Sequence, residues 1–85
     1  MREERVGTVS HYYAHLGVAA IVLESTLKVG DVIHVRGHTS DFTQKVNSIE
    51  IGHHRVDKAG KGEDIGIKVI EHSREHDTVY RVVEE

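Results

Sequence analysis

Histidine is the residue in this chain best suited to metal or proton chemistry, and there are eight. Three pairs, His11 and His15, His34 and His38, and His72 and His76, are each spaced by four. On a helix that spacing brings both imidazoles to one face in metal-binding register. On an extended strand it separates them by roughly 13 Å, too far for two nitrogens that must each lie about 2 Å from one ion. Only a turn could bring such a pair together. His72 and His76 flank Ser73-Arg74-Glu75, and the adjacent His53 and His54 fall in a loop. No specific metal site and no other cofactor is expected; the histidines read as surface groups that titrate near their ordinary value of about 6.5.

A second set combines Glu50 with His53, His54, Arg55, Lys58 and Lys61 on the segment that follows it. Several cations on one loop are what a phosphate backbone needs, and a carboxylate beside them could meet a base or ribose. The plain reading is a solvated loop, because Asp57 and Glu63 dilute its charge. His11, Tyr12 and Tyr13 offer stacking surfaces for an unpaired base, although neighbouring tyrosines on a strand point to opposite faces and one of them belongs in the core. Nucleophilic catalysis lacks its parts. The chain has no cysteine; Ser10, Ser25, Ser40, Ser48 and Ser73 lie in no nucleophile elbow, and no carboxylate pair follows from spacing. The residues therefore predict a chain that is not an enzyme.

These side chains must be held by strands. Around Leu27–Arg36, Gly30-Asp31 predicts a turn. Beyond it Ile33 and Val35 alternate with His34 and Arg36, the period of a strand with one buried face. Arg5–Tyr13 alternates imperfectly, with Val6, Thr8, Ser10 and Tyr12 on one side. Val18–Leu23 is too short and too continuously apolar for a surface helix and predicts a buried strand. Residues 37–41 predict a loop and Thr43–Ile51 a strand broken by a bulge. Residues 52–63 predict the longest connection, and Asp64–Ile70 and Thr78–Val83 the last two strands. Ile33, Val35, Ile49, Ile65, Ile67 and Val69 should face one core. Six short strands with no convincing helix predict an all-β, six-stranded barrel, because closure removes the edges a small open sheet would expose.

Eighty-five residues make one domain, residues 1–85, with short charged ends at 1–4 and 84–85. The formal charge is −3. Without residues 1–5 and 84–85, ten acids face nine bases, so a polyanion site must be a local patch. No apolar run approaches the roughly 20 residues of a membrane span, and no signal-type segment follows the N-terminus. A cytoplasmic monomer is expected.

Leu27-Lys-Val-Gly-Asp31, Ile49-Glu-Ile51 and Lys61-Gly-Glu-Asp-Ile-Gly-Ile67 resemble the second domain of translational GTPases such as elongation factor Tu. Val6-Gly-Thr-Val-Ser-His-Tyr-Tyr13, Gly17-Val-Ala-Ala20 and Gly37-His-Thr-Ser-Asp-Phe42 resemble free-standing translation elongation factor-like proteins. A similar barrel also ends some collagenase-like peptidases. The translation-factor resemblance implies a Greek-key barrel in which Glu50 matches the glutamate that faces the 3′ adenosine of tRNA. It further implies a non-catalytic binding module whose partner is tRNA, rRNA or a ribosome-associated protein. Gly-x-x-x-x-Gly-Lys-Ser/Thr is absent, so no nucleoside triphosphate is bound. The alternative is a protein-interaction or scaffolding barrel without RNA contact.

Overall fold

The alternation of Val32–Arg36 is realised as read: Ile33 and Val35 are fully buried while Val32 and Arg36 face water. The computed structural model describes residues 2–84; Met1 and Glu85, which belong to the charged ends, lie outside the described residues. Ten strands and no helix are found among the described residues. They are β1 (Arg2–Tyr13), β2 (Val18–Leu23), β3 (Leu27–Lys28), β4 (Val32–Arg36), β5 (Asp41–Lys45), β6 (Ile49–Ile51), β7 (His54–Val56), β8 (Lys58–Ala59), β9 (Asp64–Lys68) and β10 (Thr78–Val83). Eight form one sheet in the order β5-β4-β10-β1-β2-β9-β6-β7, and β3 pairs with β8 in a separate ribbon.

The all-β class stands, but the closed six-stranded Greek-key barrel does not. The sheet curls around its core with β5 and β7 as unpaired edges. A physical cause is visible at the seam. The turn after β3 occupies the backbone groups just beyond both edges: Val29 N–H donates to Asp57 O (2.9 Å), Gly30 N–H to Val46 O (2.8 Å) and Val46 N–H to Asp31 O (2.8 Å). The two edges are thus tied to a third segment rather than to each other.

Thr43–Ile51 is also not one bulged strand. It divides at residues 46–48, where Val46 turns its side chain fully into the core. The expected long connection contains a hairpin instead, in which β6 and β7 pair across a two-residue turn. Gly52 and His53 both have positive φ there, 55° and 68°, as the tight turn favoured by strand twist demands.

The imperfect alternation of β1 has its cause in two register shifts, between Arg5 and Gly7 against β10 and between Val9 and His11 against β2. A shift moves subsequent side chains to the other face, so Val6 and Val9 both reach the core while His11 and Tyr13 stay outside. β1 starts at Arg2, so residues 2–4 are not a loose charged end. Arg2, Glu3 and Glu4 pair with Val83, Val82 and Arg81, and Arg81 donates to Glu4 Oε1 and to Thr26 O, both at 2.6 Å. The core joins Ile21, Leu23 and Val79 to Ile33, Val35, Ile49, Ile65 and Ile67, with Val69 partly buried against it. Val18–Leu23 buries one face only: Ala19, Ile21 and Leu23 point in and Val22 is exposed.

Candidate functional site

Pairing across the sheet lines up four outward positions. His11 on β1 is opposite Ala20 on β2, Ala20 is opposite Gly66 on β9, and Gly66 is opposite Glu50 on β6. The two central positions carry a methyl group and a hydrogen, and the two outer ones carry long polar side chains. The result is a trough of about 450 Å³ on the outer face, running along β2 and β9. Three inter-strand steps of about 4.8 Å put its flanking backbones roughly 14 Å apart. Ala20 and Gly66 form its floor. His11 and Tyr13, in edge contact with ring centroids 4.4 Å apart, form one wall, and Glu50 with His53 forms the other. Leu16, 64% exposed, stands at one end and Asp64 at the other.

Gly66 has no conformational reason to be glycine. Its φ is not in the left-handed region, and a Cβ built there would meet only Val18 Cγ1 at an ordinary 3.4 Å. Glycine in mid-strand weakens a strand, and one not required by the backbone marks a place where something approaches closely. Glu50 and Asp64 make no side-chain hydrogen bond or ion pair among the described residues, although Arg55 faces Glu50 across the β6–β7 ladder. His11 Nδ1 lies 3.4 Å from Glu75 Oε1, which anchors the aromatic wall from behind.

Of the residues singled out from the sequence, Glu50 and His53 meet in this trough, and His54 and Arg55 lie exposed on edge strand β7. Lys58 belongs to the β3–β8 ribbon, opposite Lys28, and Lys61 to the exposed turn beyond it. The cation-bearing segment is therefore divided between two sheets. Tyr12 turns inward against the core and packs at a tilt on His72, ring centroids 4.4 Å apart, while Tyr13 stays outside. Ala20, Asp64 and Gly66 were not singled out from the sequence. A small residue signals a groove only once register places it beside another, and the chain gives no register before folding.

A second polar cluster sits on the far side of β1. His34 is only 17% exposed, its Nδ1 lies 2.6 Å from Glu3 Oε2 and its Nε2 2.5 Å from Asp41 Oδ1. With a carboxylate on each nitrogen, both must carry hydrogen, so the ring is held as imidazolium. The Asp41 hydrogen bond, helped by Glu3 and opposed by burial, raises its pKa above the usual histidine value. Asp41 is correspondingly lowered by its bond to His34. The cluster pins β1, β4 and β5 together. Among the described residues no three histidine, aspartate or glutamate side chains converge to hold a metal ion.

No family model matches the chain. It is 38% identical over 84 residues to an uncharacterized protease of Methanocaldococcus jannaschii, covering 98% of this chain and 21% of that one. It is 41% identical over 78 residues to a collagenase of Porphyromonas gingivalis, covering 89% and 22%. The relatives are proteases by name, not translation factors. The chain spans about one fifth of the length of these curated relatives. Its fold matches crystal structures of the C-terminal domain of a Geobacillus thermoleovorans protein assigned to the U32 peptidases. One has a TM-score of 0.88 at 20% identity, over 94% of this chain and 93% of that one. Its selenomethionine variant has 0.85 at 22%, over 89% and 96%.

These findings overturn the identification with translation factors and, with it, the function reading built on that identification, a module that contacts tRNA, rRNA or a ribosome-associated protein. They also overturn the exclusion of an enzymatic context, since the matched proteins carry the names protease and collagenase. The lesser resemblance, to the barrel that ends some collagenase-like peptidases, points the way the relatives do. No helix among the described residues is long and apolar enough to cross a membrane.

Proposed function

We propose that this chain is the β-module of a U32-type peptidase and serves polypeptide cleavage by holding substrate for catalytic groups outside these 85 residues. The observation that carries the reading is the match to a protease along 98% of the chain at 38% identity. An open trough on the sheet's outer face supports it, because a module that holds an extended polypeptide needs a long, accessible surface rather than an enclosed pocket. The test is a cleavage assay with denatured collagen as substrate and the catalytic part of a U32 peptidase, with and without this chain, joined or added in excess. Holding substrate acts on KM, so kcat/KM should rise with little change in kcat. Cleavage unaltered by a saturating amount of the chain refutes the reading.

A further inference from the structure

The geometry points to the trough over Ala20 and Gly66 as a binding site for an extended polypeptide segment that carries a lysine or arginine side chain. The segment lies along β2 and β9, with its cation between Asp64 and Glu50 and a neighbouring apolar side chain on Tyr13. The inference rests on the substrate-holding reading and names the substrate class.

Three independent features meet there. The first is the floor. Ala20 and Gly66 are paired neighbours on two central strands, and Gly66 could carry a methyl group without strain or clash. Its bareness serves neither backbone nor core, yet it lets a guest's main chain come down onto the sheet. Gly7 is a contrast on the same sheet. A Cβ there would lie 2.6 Å from Val22 O and 2.8 Å from Ile21 Cγ2, so packing alone accounts for that glycine.

The second feature is charge. Glu50 on one wall and Asp64 at one end have no ion-pair partner among the described residues. Two carboxylates about one strand apart repel an anionic guest and attract a cation whose stem can lie on the floor. The third is the opposite wall. Tyr13 is 46% exposed and held in place by His11, itself backed by Glu75. A fixed, half-exposed aromatic ring offers contact area at little entropic cost. Acidic groups toward one end and apolar surface toward the other give the bound segment a direction.

Three fluorescein-labelled unstructured peptides of one length test this by anisotropy: one with a central arginine beside leucine, one with glutamine in place of the arginine and one with glutamate. The arginine peptide should bind about tenfold tighter than the glutamine peptide, or about 1.4 kcal/mol. The glutamate peptide should be weakest, and the preference should shrink as salt is raised. Gly66→Val fills the floor and should weaken the arginine peptide about tenfold while circular dichroism and unfolding remain native-like. Glu50→Gln with Asp64→Asn should leave glutamine-peptide binding intact and abolish the preference for arginine. Equal binding of all three peptides, or arginine-peptide binding untouched by Gly66→Val, overturns the inference. Stimulated cleavage that survives Gly66→Val would remove this site and leave the substrate-holding reading standing. Peptide binding at the trough without stimulated cleavage would do the reverse.

Discussion

Two glycines of this sheet, Gly7 on β1 and Gly66 on β9 with β2 between them, should respond in opposite directions to the same added methyl group. Gly7 is buried, and a Cβ there would press on Val22 O and the Ile21 side chain at 2.6 and 2.8 Å. One of those atoms is backbone in a paired strand and cannot swing aside, so Gly7→Ala should carry an overpacking cost of about 1–3 kcal/mol. Gly66 meets nothing closer than 3.4 Å and has no left-handed φ. Gly66→Ala should therefore gain about 0.5–1 kcal/mol, because alanine surrenders less chain entropy on folding. For a domain this small, with a urea slope of about 1 kcal/mol per molar, the midpoints should move down by about 1–3 M and up by about 0.5–1 M. Equilibrium unfolding of the three proteins in urea, followed by far-ultraviolet circular dichroism, measures both shifts. A Gly66→Ala variant destabilised as much as Gly7→Ala would show that glycine 66 is demanded by the fold. The case for a floor kept bare for a guest would then collapse.

Ile67, fully buried on β9 against β2, should lose about 2–5 kcal/mol on truncation to alanine; denaturant unfolding that shifts by less than half a kilocalorie would mean its side chain is not in the core. Gly37→Ala would drive a methyl group into Asp77 Oδ1, whose partner oxygen accepts from Arg74 N–H at 2.9 Å. A loss of about 1–3 kcal/mol of stability is expected, with an unchanged unfolding midpoint counting against the contact. The His34 cluster predicts a pH dependence. Because folding raises the His34 pKa, its stabilisation is complete below the unfolded value of about 6.5 and is lost as pH rises through the folded value. Asp41 is lowered, so its share is present above its unfolded value near 3.9 and is lost as pH falls through the folded one. The stability gap between the native protein and His34→Gln should thus be widest in mildly acidic solution and narrow toward alkaline pH. A gap independent of pH from 5 to 9 would contradict the imidazolium assignment.

What could be read from the chain beforehand was what a strand needs locally. Ile33 and Val35, or Ile65 and Ile67, alternate with polar neighbours, so their phase and their share in one core followed directly. The sequence predicts β1 only from Arg5, because Arg2, Glu3 and Glu4 have no apolar phase of their own; pairing with β10 and the Arg81 contacts holds them. Thr43–Ile51 reads as one bulged strand because a bend and a break leave the same disturbed alternation. The hairpin at Gly52-His53 has no plain sequence signal, since histidine is an uncommon residue at positive φ. In the candidate site, Glu50 and His53 stood out by charge. Ala20 and Gly66 could not, because a missing side chain becomes a feature only when two strands remote in sequence lie side by side. Closure failed as an expectation for a related reason: the partners of edge backbone groups, such as Val29 N–H with Asp57 O, are settled by tertiary contacts alone.

The pairing of β1 with β10 has a mechanical consequence. Arg2 is the ladder partner of Val83, so the two described ends of the chain emerge side by side, about 5 Å apart at the Cα atoms as in any antiparallel pair. A pull applied between these ends would load the ladder's hydrogen bonds one after another, starting at Arg2 and Val83, as a zipper opens. Tension between the two described ends would therefore first peel β1, the strand that supplies His11 and Tyr13.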